Sequence, residues 1–215
     1  MNDKQKASSQ SKKAYQTIRS LILGGELTQG EPLIETDLVV KLNMSRTPIR
    51  EALLRLRDDG LVTRVRNKGV FVRVITKEDI SQSYEALEAL EGMMCYLLAG
   101  RMPNAGLKKL ESSVISMEKA LKENEIDNWA NADSEFHNTI CDYSQNAIIV
   151  STMEKLNIFV RGVRSIVSKY SIDKDSSTKA HRLTYEYIKA GDAEKARNTM
   201  QQHISDVRHQ LLKII

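Results

Sequence analysis

Apolar residues recur every three or four positions over most of this chain, a pattern typical of amphipathic helices. In the first 60 residues, Gly24-Gly25 and a turn at Gly30-Glu31-Pro32 interrupt the pattern. Three helices are predicted here, over residues 12–24, 35–42 and 46–59. A short connection separates the last two, which is the spacing of a helix-turn-helix pair.

Alternation of apolar and polar residues, the pattern of a strand, is confined to the stretch that follows. Two β-rich runs, Leu61–Val65 and Val70–Val74, flank a basic segment at residues 66–69. They predict a two-stranded hairpin directly after the third helix. A helix-turn-helix followed by a hairpin predicts a winged helix, with one helix in the major groove of DNA and the wing at the adjacent backbone or minor groove.

The third helix carries the side chains that reading DNA requires. Ser45 is a favourable N-cap residue, and Pro48 falls in the first turn, where its missing N–H costs nothing. The buried side is predicted from three apolar positions, Ile49, Leu53 and Leu56. Arg46, Thr47 and Arg50 lie away from that side, where Arg can bind guanine bidentately and Thr can contact a thymine methyl group or a phosphate. The alternative is an ordinary surface helix with a solvated basic face.

The predicted DNA interface combines the paired helices with the tip of the wing. Its residues are Thr36, Ser45, Arg46, Thr47, Arg50, Lys68 and Gly69. Thr36 is expected to cap the first helix of the pair and to contact a phosphate. Gly69 is expected to let the wing approach the DNA backbone.

The remaining two thirds of the chain show no strand pattern, and their apolar positions predict six antiparallel helices in a bundle. These helices are predicted over residues 78–101, 104–123, 127–143 and 146–170, within 171–190, and from 192 to about 212. The sequence therefore predicts a mostly α protein. A winged helix-turn-helix domain is expected at residues 1–75 and an all-helical domain at residues 76–215.

Three of the four histidines fall on predicted inner faces of this helical domain. Asp133 and His137 are four residues apart and project from one side of a helix, whereas His181 and His203 lie on two other helices. Buried polar groups need partners, and one divalent metal ion would satisfy all four residues. One carboxylate and three imidazoles suit zinc, nickel, cobalt, iron or manganese, and the ligand type alone does not choose among them. Zinc is the metal expected first. The fourth histidine, His209, is predicted to face solvent.

A metal is not the only explanation of these residues. Each histidine taken alone is better explained by an ordinary hydrogen bond in the core, with Asp133 as a capping or salt-bridged residue. The joint pattern on three helices is what favours a metal site.

Charge is distributed unevenly along the chain. Residues 1–75 contain 14 Lys and Arg against 8 Asp and Glu, a net charge of +6, whereas the remainder has 18 against 20, a net charge of −2. The basic excess therefore belongs to the segment predicted to bind DNA. The two cysteines, Cys95 and Cys141, lack CxxC spacing and are predicted to be reduced, buried thiols.

The sequence gives no indication of a membrane partner. No apolar run approaches the roughly 20 residues that span a bilayer, and the polar N-terminus has no apolar signal core. A cytoplasmic location is therefore expected.

The N-terminal third resembles the GntR family of bacterial winged-helix transcription regulators. The similarity extends over residues 12–74 and is carried by the run Ser45-Arg46-Thr47-Pro48-Ile49-Arg50-Glu51-Ala52-Leu53, with Tyr15, Ile18, Ile22, Gly25, Leu27, Gly30, Leu33, Leu56, Gly60-Leu61-Val62, Gly69 and Phe71-Val72.

The helical domain is similar to the FCD effector domain of the FadR subfamily, and its six helices resemble the VanR-type branch. In that domain an Asp-x3-His pair and two later histidines bind a divalent metal, which implies the same role for Asp133, His137, His181 and His203. The resemblance covers residues 78–212, so the two similarities account for nearly the whole chain.

One position departs from the family pattern. Family members often carry an Arg four residues before the Glu of a Leu-Glu pair, where it can contact a carboxylate effector. Aligned on Leu90-Glu91, this chain has Leu87 at that position. Asn157 and Arg164 border the inner side of their predicted helix and are candidate effector contacts. The alternative for both is a boundary residue whose polar end lies in solvent.

These features together predict a transcription regulator that binds an inverted-repeat operator as a homodimer. A small molecule, an organic acid or related metabolite, is expected to bind over the metal and favour one orientation of the DNA-binding domains. One alternative is a regulator whose metal is structural or is itself the signal. Another is a metal-dependent hydrolase, but no separate general base in a motif such as His-Glu-x-x-His is visible, so no enzymatic activity is expected.

Overall fold

The computed structural model describes residues 3–154, 156, 160 and 173–214. Two compact units make up this chain, one ending at Thr76 and the other beginning at Lys77, and each is described by itself. The predicted mostly α fold, with a winged helix-turn-helix followed by an all-helical domain, is confirmed.

The first unit consists of three helices and a hairpin. Its elements are α1 (Asp3–Leu23), α2 (Glu35–Leu42), α3 (Arg46–Asp58), β1 (Val62–Val65) and β2 (Gly69–Val72). Its core is formed mainly by the facing sides of α1 and α3, together with residues of α2 and of the strands. The buried residues are Ala14, Tyr15, Ile18, Leu27, Leu33, Leu38, Ile49, Ala52, Leu53, Leu56, Leu61, Val62 and Val72.

The hairpin is shorter than the sequence pattern predicts. The strands pair antiparallel from Val62 opposite Val72 to Val65 opposite Gly69, so Gly69 begins β2 instead of lying in the tip. The reversal is made by residues 66–68, where Asn67 adopts a positive φ of 61°, a conformation that Asn tolerates better than most residues. Helix α1 also differs, since it begins at Asp3 and not at the predicted Lys12. Residues before Lys12 are mostly polar, so apolar periodicity gives no signal for this part of the helix.

The second unit is helical throughout most of its described residues. Its elements are α4 (Lys77–Leu98), α5 (Asn104–Glu123), α6 (Ile126–Tyr143), α7 (Lys174–Ala190) and α8 (Ala193–Ile214), and residues 147–154 are also helical. Helix α4 packs along α8, α5 packs on α6 and α7, and α7 packs on α8. None of the described helices is both long and apolar enough to cross a membrane.

Local signals correctly predict where α7 ends and α8 begins. Gly191 is the C-cap of α7 with a positive φ of 77°, and Asp192 accepts a hydrogen bond from the backbone N–H of Lys195 at 3.1 Å. Glycine is favoured at such a C-cap because it has no Cβ. The carboxylate of Asp192 satisfies one of the backbone donors in the first turn of α8.

Gly100 links the end of α4 to the end of α7, and we predict that alanine there destabilises the second unit. Its φ is +68°, its N–H donates to the carbonyl of Ile188 at 3.0 Å, and an added Cβ would lie 3.3 Å from the Cα of Gly191. Gly100→Ala should lower the free energy of unfolding by ~2–3 kcal/mol, because the strained φ alone costs about 1–2 kcal/mol. Gly25→Ala is the control, since Gly25 has a φ of +77° but an added Cβ would meet no atom within 4 Å. Urea denaturation should show the smaller loss for Gly25→Ala, and equal losses would contradict a role for the contact with Gly191.

Candidate metal centre and nucleic-acid interface

The four residues predicted as metal ligands converge inside the second unit. They are Asp133 and His137 on α6, His181 on α7 and His203 on α8. One ligand atom from each lies within 4.8 Å of the others. Three helices therefore contribute to a single cluster, as the joint pattern in the sequence suggested.

Three of the four ligand atoms are spaced much as they would be around a single divalent ion. The Nε2 atoms of His137 and His181 are 3.2 Å apart, and Oδ1 of Asp133 lies 3.4 Å from Nε2 of His181 and 3.7 Å from Nε2 of His137. Ligand bonds of about 2.0–2.2 Å place neighbouring ligand atoms roughly 3–3.5 Å apart. The ring of His203 completes the cluster, with its centroid 4.5 Å from that of His181. The donor set and its spacing thus suit a metal such as zinc.

The state of His181 also suits a ligand. Its side chain is fully buried, and this burial lowers its pKa to about 4 although the Asp133 carboxylate acts in the opposite direction. The imidazole is therefore neutral near pH 7. Its Nδ1–H donates to the carbonyl oxygen of Ser177 at 2.6 Å, because a carbonyl can only accept. The lone pair is consequently on Nε2, the atom that faces His137, and a neutral imidazole is the form that binds metals.

Contacts outside the cluster fix the helices that carry it. The indole N–H of Trp129 on α6 donates to the hydroxyl of Thr178 on α7 at 2.9 Å. One turn further along α7, Arg182 donates twice to the carboxylate of Glu118 on α5, at 3.0 and 2.8 Å. Phe136 packs its ring against His181 with 4.6 Å between centroids. These contacts hold α6 and α7 in a register that brings their histidines together.

Glu91 is a residue of this site to which the sequence analysis assigned no role. It lies on α4, is only 1% exposed, and its Oε2 contacts Nδ1 of His137. The signal in the sequence is a carboxylate on an apolar helix face, since Leu87 and Cys95, one turn to either side, are both buried. Periodicity alone can identify such a buried carboxylate but cannot name its partner.

Other predictions for this unit have mixed outcomes. His209 is exposed as predicted, with Nδ1 donating to the carbonyl of Ser205 at 2.8 Å. Both cysteines have free thiols; Cys95 is buried as predicted, whereas Cys141 is only partly buried. The candidate effector contacts Asn157 and Arg164 lie outside the described residues.

The predicted DNA-contacting residues occupy the exposed side of the first unit. The apolar stripe of α3 is buried as predicted, and Gly60 follows the C-cap of this helix with a positive φ of 73°. The exposed residues are Thr36, Ser45, Arg46, Thr47, Arg50, Lys68 and Gly69. Exposure leaves them accessible to DNA, and their contacts with DNA stay predictions.

One of the two predicted capping roles is confirmed in position only, and the other is wrong. Ser45 occupies the N-cap position of α3, but its side chain makes no capping hydrogen bond. Thr36 does not cap α2, because the helix already begins at Glu35 with Ile34 as its N-cap residue. The hydroxyl of Thr36 instead donates to Oδ1 of Asp37 at 3.2 Å.

The recognition helix α3 is held by contacts that the sequence pattern did not reveal. Nε of Arg50 donates to Oε2 of Glu35 on α2 at 2.7 Å. At the other end of α3, the hydroxyl of Tyr15 donates to Asp59, and the guanidinium carbon of Arg55 lies 4.3 Å from the centroid of the Tyr15 ring. The exposed pair of Arg50 and Glu35 contributes little stability, about 0–1 kcal/mol, but restricts the orientation of the arginine.

The groove between α3 and the wing is strongly basic. Arg50, Arg57, Arg64 and Lys68 line it together with Glu35. Arg50 is paired with Glu35 and Arg57 with Asp58, so the groove keeps a net positive charge. This charge suits the phosphate backbone of DNA, whose contacts with Lys and Arg supply much of the affinity of DNA-binding proteins. Arg57 and Arg64 are additions to the predicted interface.

Comparison with known proteins agrees with both units. The family model described as bacterial regulatory proteins, gntR family, matches residues 10–72, and the FCD domain matches residues 82–206. An HTH-type transcriptional regulator from the TAR-I ttuE-ttuC' intergenic region of Agrobacterium vitis is 36% identical over 132 residues, which cover 59% of this chain and 76% of that protein. The HTH-type transcriptional regulator YdhC of Bacillus subtilis is 27% identical over 199 residues, covering 91% of this chain and 88% of its own.

A solved structure supports the same fold. A crystal structure described as that of a transcriptional regulator GntR from Rhodococcus sp. RHA1 aligns with a TM-score of 0.79 and 23% identity, covering 96% of this chain and 99% of that one. Because these relatives are transcription regulators and not enzymes, the hydrolase alternative is set aside.

We predict that the hydrogen bond between Trp129 and Thr178 stabilises the second unit. Thr178→Val keeps the side-chain shape but leaves the buried indole N–H without its acceptor, which should lower the free energy of unfolding by ~1–2 kcal/mol. Thr139→Val is the matched control, because the buried hydroxyl of Thr139 donates only to the carbonyl of Glu135 in its own helix. Urea denaturation should show a clearly smaller effect for Thr139→Val. A Thr178→Val variant as stable as the wild type would show that this bond does not hold α6 to α7.

Proposed function

The chain belongs to the GntR family of bacterial regulatory proteins and contains an FCD domain, so it is a transcription regulator. We propose that a metal-dependent effector site controls its affinity for DNA. Residues 1–75 bind the operator in this proposal, and residues 76–215 hold a divalent metal and a small-molecule effector. Zinc is the first choice for the metal, which is held by Asp133, His137, His181 and His203.

The observation that carries the proposal is the convergence of these four ligand atoms within 4.8 Å. The three imidazoles are at most 8% exposed, so bulk water competes little with them for a bound ion. Asp133 and the histidines together offer one carboxylate and three imidazole ligands to a divalent metal. The neutral state of His181 and the spacing of 3.2–3.7 Å among three of the ligand atoms support the same interpretation.

The effector in this proposal is an organic acid. A divalent ion supplies positive charge that attracts a carboxylate. Leu87 cannot supply such charge, although it stands where family members often carry an Arg. Effector binding changes operator affinity through a coupling free energy of ~1–3 kcal/mol between the two sites. Metal and effector are therefore linked, so removal of the metal should abolish the response to the effector.

The DNA-binding half of the proposal rests on the exposed residues of α3 and the wing. Arg46, Thr47 and Arg50 read base edges, Lys68 contacts phosphate, and Gly69 permits close approach of the wing. Thr36 and Ser45 are supporting contacts to the backbone. A homodimer presents two recognition helices to an inverted-repeat operator in the cytoplasm.

His203 and His209 offer a matched test of the metal site, because both lie on α8 and only His203 is in the cluster. In the metal-stripped full-length protein, added zinc should raise the melting temperature of the wild type and of His209→Ala. The same zinc should leave His203→Ala nearly unchanged. At 100 times the dissociation constant, binding stabilises the folded state by ~2.7 kcal/mol, which a thermal-shift assay detects. Equal shifts in all three proteins would contradict the proposed ligands.

The same assay distinguishes an effector site from a metal that acts alone. Mono-, di- and tricarboxylic acids should raise the melting temperature further only when zinc is present, and should change binding to a DNA site selected from a random pool. A change in DNA binding caused by zinc alone, with no effect of any acid, would favour the metal as the signal. A response to acids that survives rigorous removal of the metal would contradict the linkage.

We expect Arg50 and Lys68 to contribute to DNA binding in different ways. Arg50→Ala should cost about 1–3 kcal/mol on the selected site and little on random DNA, because a bidentate contact with guanine is lost. Lys68→Ala should weaken binding to both DNAs and reduce the salt dependence by about one released counterion. Fluorescence anisotropy over a range of salt concentrations measures both effects.

Arg101→Ala is the control for net charge, since Arg101 is exposed in the second unit and its replacement removes the same charge. Sequence-independent losses of equal size for Arg50→Ala and Lys68→Ala would count against base reading by Arg50.

A further inference from the structure

We infer that Glu91 is a positioning residue that holds the His137 imidazole in the tautomer and orientation required of a metal ligand. This inference rests on the proposed metal site. It concerns a residue outside the proposed ligand set, on a helix that contributes none of the four ligands.

The contact between Glu91 and His137 determines where the ring proton lies. The carboxylate oxygen Oε2 of Glu91 meets Nδ1 of His137, and a carboxylate accepts hydrogen bonds. Nδ1 therefore carries the proton, and in the neutral imidazole the lone pair is on Nε2. That nitrogen is the one 3.2 Å from Nε2 of His181 and 3.7 Å from Oδ1 of Asp133. Glu91 thus directs the lone pair of His137 into the cluster.

The support given to His137 differs in kind from the support given to His181. His181 donates to the backbone carbonyl of Ser177 in its own helix, so its acceptor is local and carries no net charge. His137 instead donates to a carboxylate from another helix, 46 positions away in the sequence. A carboxylate acceptor makes an imidazole a stronger metal ligand than a carbonyl does, and it also fixes the ring across the interface of α4 and α6.

Along α4, the whole of which the structure describes, no cation on the same helix face competes for Glu91. The residues one turn before and after it, Leu87 and Cys95, are buried and uncharged. A buried carboxylate is costly unless positive charge lies nearby. A divalent ion bound to His137 supplies that positive charge. Occupancy of the metal site and burial of Glu91 therefore favour each other.

The test measures zinc affinity in the full-length protein by competition with a chromophoric chelator. Glu91→Ala should weaken zinc binding by about 10- to 100-fold, the usual loss when such a hydrogen-bond partner is removed. Glu91→Gln should lose less than Glu91→Ala, because its amide oxygen still accepts from Nδ1–H. Glu88→Gln is the matched control on the same helix, because Oε2 of Glu88 lies 3.7 Å from Nη2 of Arg208 and not in the cluster. The zinc affinity of Glu88→Gln should stay within about twofold of that of the wild type.

A second measurement separates positioning from general stability. The chain has only four histidines, so long-range ¹H–¹⁵N correlation spectra of ¹⁵N-histidine-labelled protein resolve each ring, with His137→Gln used for assignment. In the wild type and in Glu91→Gln, His137 should be protonated on Nδ1 with Nε2 as the ligand atom. In Glu91→Ala, the His137 ring should no longer show this single protonation pattern. If Glu91 only stabilised the fold, its removal would leave the protonation pattern of His137 unchanged.

The outcomes distinguish this inference from the proposed function. The role of Glu91 would be overturned if Glu91→Ala bound zinc within about twofold of the wild type and kept the same His137 protonation pattern. A loss of zinc binding in His203→Ala would then still support the metal site. A wild type that binds none of zinc, nickel and manganese would overturn both. A His137 ring protonated on Nε2 in the zinc-loaded wild type would also overturn the inference.

Discussion

The second unit depends on placing three imidazoles and a carboxylate in one small volume inside an apolar helical bundle. Removing these groups from water costs free energy, and the cost is recovered only if each is given a partner in the folded state. His181 shows the size of this constraint, because burial brings its pKa to about 4. The same constraint makes the cluster specific, since the positions from which all four groups can reach one point are set by the packing of three helices.

Interactions around the cluster keep this packing in register. The bond from Trp129 to Thr178 joins α6 to α7, and the bidentate pair of Arg182 with Glu118 joins α7 to α5. Glu91 adds α4 through His137. A metal ligand must be placed within a few tenths of an ångström, so these contacts matter more for geometry than for total stability. In this respect a site for a small ion depends on the register of the bundle.

In the first unit, an apolar stripe buries one side of α3 and leaves its polar side chains outward. The contacts of Tyr15 with Asp59 and Arg55 anchor the end of the helix, and Glu35 restricts Arg50. Base contacts give specificity only when the side chains are held in position, whereas phosphate contacts tolerate more freedom. The basic groove beside the wing and the ordered α3 are therefore complementary parts of one surface suited to DNA.

The class of fold, the family, most helix limits and the side of each helix that is buried could all be predicted from the amino-acid sequence. These follow from local rules: a period of 3.6 residues places Asp133 and His137 on one side, and Gly191 followed by Asp192 ends one helix and starts the next. The convergence of the four cluster residues was also predictable, because several unusual polar residues on inner faces imply a shared partner. Local rules were less reliable for α1 and for the caps at Thr36 and Ser45, where polar side chains have several competing partners.

The pairs of residues that meet across helices could not be predicted in this way and were visible only once the chain was folded. The partner of His137 proved to be Glu91, and the partners of Arg50 and Trp129 proved to be Glu35 and Thr178. Each of these pairs joins two helices, and periodicity within one helix gives the direction of a side chain but not the identity of what lies opposite. That identity depends on the relative shift and rotation of packed helices, which is set by the combined packing of many side chains and not by any local pattern.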